Sequence, residues 1–122
     1  MGTLYLVRHG QASFGTDHYD QLSELGRRQS LRLGQYWRER SGAELAFDAV
    51  LTGTLARQVQ TWQGIAEGAQ LTGVPCVEWP GLNEYDSHAV ISAIHPDPLP
   101  RPDTPDRYRL HFRLLRGGLA AW

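Results

Sequence analysis

Apolar positions along this chain change their spacing several times, and each change marks an element. Leu4-Tyr5-Leu6-Val7 is a continuous apolar run with no alternation. Bounded at once by polar and small residues, it predicts a parallel strand buried on both faces. From residue 25 onward the spacing lengthens, and Leu25, Gln29, Leu33, Tyr36 and Trp37 recur at helical intervals. Ser23 supplies an N-cap and Glu24 an anion in the first turn, and the helix is expected to run to about Arg40 and stop near Gly42. Its stripe should cover one face of a sheet. Phe47 to Thr52 predicts a second strand, which leads through Gly53-Thr54 into a helix with apolar positions Leu55, Val59, Trp62, Ala66 and Ala69. Gly73 to Glu78 predicts a short third strand.

Beyond it the pattern loosens. Trp79 to Asp86 is a loop, and Ser87 is the candidate cap of a short helix from His88 to His95. Pro96 to Pro105 holds five prolines, which exclude a helix and a central strand. This stretch is a candidate flap over a site rather than a domain boundary. Thr104 as cap with Pro105 at the first helical position starts a last helix, with Tyr108, Phe112, Leu115, Leu119 and Trp122 on one face. Gly117-Gly118 weakens that helix by about 1 kcal/mol for each interior glycine and is a candidate end for it. Strands alternating with helices indicate an α/β fold with a mostly parallel sheet.

Composition narrows the function more than the fold. The 122 residues suit one domain with a modest core. A net charge of −1 offers no basic field for nucleic acid and no cationic face for a membrane. All 12 basic residues are arginine, so lysine chemistry such as a Schiff base is excluded. Cys76 is the only cysteine, which rules out an intrachain disulfide and suits a reducing compartment. It is expected to act as a small hydrophobe in the third strand. No basic region precedes the first apolar run, and no run approaches the length of a membrane helix. The expectation is a cytoplasmic protein.

The candidate chemistry follows the first predicted strand directly. Ligands in open α/β sheets gather beyond the carboxyl ends of the strands. There the chain places a fixed cation, Arg8, and a titratable nucleophile, His9. Gly10 allows a sharp turn and close approach to a ligand, and Gln11-Ala12-Ser13 continue a polar, small-residue loop. One Arg-His-Gly tripeptide by itself equally suits a solvated strand end. Arg57 falls in the first turn of the second helix, where a surface arginine would also be at home. Glu84 stands in a loop, as solvated glutamates do, and His18 reads as a surface residue.

Leu6 to Ser13 as a whole resembles the signature of the histidine phosphatase superfamily, which includes the cofactor-dependent phosphoglycerate mutases. Thr52-Gly53-Thr54-Leu55-Ala56-Arg57 and Leu82-Asn83-Glu84-Tyr85-Asp86 extend the match in the family's order. The resemblance implies a three-layer α/β/α sandwich. It implies that His9 is a nucleophile forming a phosphohistidine, that Arg8 and Arg57 bind phosphate together with Gly10 and Gln11, and that Glu84 is the general acid and base. No metal or cofactor is implied, and His88 and His95 lack a ligand spacing. The expected partner is a small phosphorylated substrate or inorganic phosphate, with a homo-oligomer left open.

Hydrolysis is favoured over phosphoglycerate mutase chemistry. Mutases usually follow Arg-His-Gly with an acidic residue, where this chain has Gln11, and carry arginine after the motif glutamate, where it has Tyr85. Mutase-type transfer and a non-catalytic phosphate-binding or interaction module remain alternatives. A dinucleotide site is disfavoured, because no Gly-x-Gly-x-x-Gly follows the first strand. Family members also carry a late second histidine beside glycine, after a further strand. His88, His95 and His111 do not match it. The expectation is that residues 1–122 form one incomplete family domain. Alone it would be poorly active, and it would either self-associate along the exposed edge of Leu4 to Val7 or represent only part of a longer protein.

Overall fold

A computed structural model describes residues 1–122. Four α-helices and two strands follow one another: α1 Glu24–Ser41, β1 Val50–Thr52, α2 Ala56–Ala69, β2 Cys76–Glu78, α3 Ser87–Ile94 and α4 Pro105–Ala121. Single 3₁₀ turns stand at Gly42–Glu44 and Pro80–Leu82. The strands pair in parallel with Val50 opposite Cys76, Leu51 opposite Val77 and Thr52 opposite Glu78. A parallel pair needs a crossover, and α2 is that crossover. The fold is therefore α/β, on a smaller sheet than the apolar runs predict. The chain divides into two compact units, residues 1–13 with 18–83, and residues 14–17 with 84–122. No helix is long and apolar enough to cross a membrane.

The first unit is built on α1 against α2. Ser23 caps α1, its Oγ accepting from the Gly26 N–H at 3.1 Å, and Gly42 ends it at φ +61°. Both ends lie where the sequence puts them. The buried face does not. Gly26, Ser30 and Gly34 are the buried positions of α1, whereas Leu25 and Tyr36 are 42% and 43% exposed. The reason is backbone approach. A Cβ on Gly34 would stand 2.1 Å from the Ile65 carbonyl oxygen, and one on Gly68 would stand 2.0 Å from that of Leu31. Only small residues allow two helices to come so close, so the contact seam runs beside the large apolar stripe. On α2 the inward positions are Arg57, Thr61, Ile65, Gly68 and Ala69.

The Leu4 to Val7 segment corrects the first expectation. It forms no strand, and Leu4 and Leu6 are 81% and 88% exposed. An apolar run records a preference for burial, but a strand exists only through a neighbour that completes its ladder. Here β1 and β2 pair with each other, and no ladder extends to residues 4–7. Tyr5 alone is engaged by its ring, 5.4 Å from Trp37 and 6.0 Å from Phe47 between centroids. The second and third strands are also shorter than predicted, at three residues each.

The second unit is a helical hairpin of α3 and α4. Asp86, not Ser87, caps α3: its Oδ1 accepts from the His88 and Ala89 N–H groups at 2.9 and 3.1 Å. A carboxylate at this end also meets the helix dipole, which a hydroxyl does not. Thr104 caps α4 as predicted, accepting from the Arg107 N–H at 3.3 Å, with Pro105 first in the helix. The helix continues through Gly117-Gly118 to Ala121. Glycine suits position 118, since a Cβ would stand 2.7 Å from Val90 Cγ1 and 3.0 Å from the Val90 carbonyl oxygen on α3. Phe14 joins this unit, its ring 5.1 Å from both Tyr108 and His111. Asp17 pairs with Arg101 of the proline-rich stretch.

Candidate active site

The loop after Val7 is held by hydrogen bonds at almost every residue. His9 Nδ1 lies 2.6 Å from the Gly10 carbonyl oxygen. A carbonyl only accepts, so Nδ1 carries the hydrogen, and in the neutral ring the lone pair is then at Nε2. The Gly10 N–H donates to Thr61 Oγ1 at 3.0 Å, and that hydroxyl donates to the Arg57 carbonyl at 2.7 Å. Thr61 therefore joins the residue after His9 to the turn of α2 that begins with Arg57. The Gln11 N–H donates to Gln29 Oε1 at 2.9 Å, and the Gln11 carbonyl accepts from the Ser23 N–H at 2.8 Å. The Gln11 side chain is engaged too, its Oε1 accepting from Ser23 Oγ at 2.7 Å.

The glycine after His9 has a second role besides the turn. A Cβ on Gly10 would stand 2.5 Å from the Gly26 carbonyl oxygen, and a Cβ on Gly26 would stand 2.1 Å from that of Gln11. The two glycines let the loop lie directly on the first turn of α1. The far end of the loop is closed on α2, where Gln60 Oε1 accepts from the Leu22 N–H at 2.9 Å.

Arg57 is 7% exposed, and a guanidinium so deeply buried must be paired. Its Nη1 donates to Asp20 Oδ1 at 2.7 Å, and its Cζ lies 5.2 Å from the centre of the Tyr19 ring. The other carboxylate oxygen of Asp20 accepts from the Ala56 N–H at 2.9 Å. This bond answers a local deficit. The N-cap position of α2 is Leu55, whose side chain has no acceptor, and the first amide of the helix is satisfied from a distant loop instead.

The third sequence motif is fixed at the same helix entrance up to Asn83. Asn83 Oδ1 accepts from the Thr54 N–H at 2.7 Å, and its Nδ2 donates to Thr54 Oγ1 at 2.9 Å. Gln58 Nε2 donates to the Leu82 carbonyl at 2.8 Å. Glu84 is the next residue, exposed, and opens the second unit. Arg8 and His18 are exposed. Within the first unit, then, the His9 loop and the first two turns of α2 with Arg57 are joined through Thr61.

Asp20, Thr61, Gln29 and Gln60 carry this scaffold and were not singled out by motif. Two signals were present. Thr61 stands four residues after Arg57, on the same helical face. A leucine at an N-cap position implies a cap supplied from elsewhere, without saying by which residue.

A family model described as histidine phosphatase superfamily (branch 1) matches residues 4–95. No curated protein and no solved structure gives a match to the chain.

Proposed function

The chain belongs to the histidine phosphatase superfamily, whose members carry out phosphatase or phosphoryl-transfer chemistry, and from that premise we propose that it hydrolyses a phosphomonoester through a phosphohistidine on His9. The observation that carries the proposal is the bond from His9 Nδ1–H to the Gly10 carbonyl. It favours the tautomer of the neutral ring whose lone pair is at Nε2, which supports Nε2 as the nucleophile. Nε2 attacks phosphorus, and the phosphorus–oxygen bond to the leaving group breaks with its electron pair going to oxygen. Glu84 as the carboxylic acid gives that oxygen its proton. In the second half, the Glu84 carboxylate takes a proton from water as the water oxygen attacks phosphorus. The phosphorus–nitrogen bond breaks, its electron pair returns to Nε2, and inorganic phosphate leaves.

Arg8 and Arg57 neutralise the phosphoryl oxygens. A guanidinium fork matches phosphate geometry, and phosphoryl transfer depends mostly on such positioning and charge. Gly10 and Gln11, in the loop that presents His9, complete the phosphate-binding set. The substrate class is a small phosphomonoester, and the reaction asks for no metal.

The role of Glu84 has a specific test. Aryl phosphates leave with little need of a proton, and alkyl phosphates need one. Glu84→Gln is expected to lower kcat on an alkyl phosphate by about 10²–10⁴-fold, the range of general acid catalysis, with a much smaller loss on an aryl phosphate. Equal losses on the two substrates would remove Glu84 from the acid role.

A further inference from the structure

We infer that Asp20 is a positioning residue for phosphate, acting by holding Arg57 in place; the inference rests on the reading that Arg57 binds the phosphoryl group. Its basis is the division of one carboxylate between two donors of the same helix. Oδ1 takes Arg57 Nη1 at 2.7 Å and Oδ2 takes the Ala56 N–H at 2.9 Å. The backbone bond fixes the carboxylate to the helix that carries Arg57. The side-chain bond then fixes one edge of the guanidinium, and the Tyr19 ring at 5.2 Å lies along its cation. A guanidinium held by a charged hydrogen bond and lying over an aromatic ring has lost much of its freedom before any ligand arrives. Such preorganisation is what makes an arginine a directional phosphate ligand rather than a mobile charge.

Two simpler roles make different predictions. If Asp20 only caps α2, its loss would cost stability and leave phosphate affinity unchanged. If it were a stand-in anion on the phosphate donors, its removal would tighten phosphate binding. The geometry favours positioning. The carboxylate is tied to the helix backbone as well as to Arg57, and its own loop is held to α2 by the bond from the Leu22 N–H to Gln60. A displaceable stand-in needs neither restraint.

The experiment is titration calorimetry of the 122-residue chain with inorganic phosphate, together with KM and kcat on an aryl phosphate. Wild type, Asp20→Ala and Asp20→Asn are compared, with thermal melting of each. Asparagine keeps one acceptor oxygen for either the amide or the guanidinium, but it cannot serve both and carries no charge. If Asp20→Ala folds poorly, the asparagine variant decides alone. The expected result is a phosphate Kd about tenfold weaker in both variants, the scale of one lost charged hydrogen bond to a positioned group. KM should rise in parallel while kcat stays within about threefold, since His9 and the bonds from Gly10 and Gln11 that hold it are untouched. Unchanged phosphate affinity with a lowered Tm would make Asp20 a cap only. Tighter binding would make it a competing anion. Either result overturns the inference while leaving the phosphate site of Arg57 intact. Failure of the wild-type chain to bind phosphate would instead overturn the reading of Arg57, and the inference with it.

Discussion

In the proposed mechanism one hydrogen bond sets which nitrogen of His9 attacks, and one hydroxyl ties the residue after His9 to α2. Thr61 accepts from the Gly10 N–H and donates to the Arg57 carbonyl, so a single side chain spans the loop and the helix. Thr61→Val keeps shape and removes both functions. It leaves a part-buried amide without an acceptor, at a cost of about 1–3 kcal/mol in stability. We expect a matching fall in Tm and a loss of kcat, with Thr61→Ser near wild type in both; melting curves and initial rates read the outcome. At this scale the sequence was half legible. His9 and Arg57 stand in the contiguous motifs that carry the family resemblance, which neighbouring letters are enough to show. Asp20 and Thr61 act on partners far away in the chain, Arg57 and Gly10, and nothing local in a polar loop or a mid-helix threonine announces a distant partner.

At the scale of elements, periodicity located the helices well and misassigned their inner faces. The ends of α1 follow from Ser23 and Gly42, and the start of α4 from Thr104 and Pro105, because caps are local chemistry. Which stripe turns inward depends on the partner. In α1 the glycine and serine seam is buried and the larger residues lie beside it. In α4 the pair Gly117-Gly118 reads as a breaker, yet Gly118 packs closely against Val90 of α3. The same hairpin carries a titration. His111 is 3% exposed, with its ring 5.1 Å from Phe14 and 5.9 Å from His88. Burial pushes its imidazole below the usual 6.5, and the neighbouring His88 adds to the same direction. With the folded value depressed, the unfolded chain binds the proton first as pH falls. Stability is therefore whole above 6.5 and declines from there down to the lowered folded value. Thermal melts between neutral and mildly acidic pH should show that decline, and His111→Phe, an aromatic in an aromatic cluster, should flatten it. An unchanged slope in the variant would assign the acid sensitivity to other groups.

For the whole molecule, the family and the α/β class were legible, and the pairing of the sheet was not. Leu4 to Val7 has the composition of a central strand. What makes a strand is a neighbour, and a neighbour is a property of the whole chain rather than of four residues. In the structure this run lies exposed and outside the two-stranded sheet. A charge there should be tolerated: Leu6→Glu is expected to change stability by less than about 0.5 kcal/mol, the ordinary range for an exposed site. Denaturant melts measure it, and a loss of several kcal/mol would mean that Leu6 is buried in solution. The central claim concerns His9, and trapping its covalent intermediate tests it most directly. The chain is incubated with an aryl phosphate, quenched, and mapped by peptide mass spectrometry for a phosphoryl group that is labile to acid and stable to base. The account predicts that group on the peptide containing His9 and its absence from His9→Ala. Turnover of the phosphoester by His9→Ala at the wild-type rate, or a phosphoryl group carried on another residue, would contradict it.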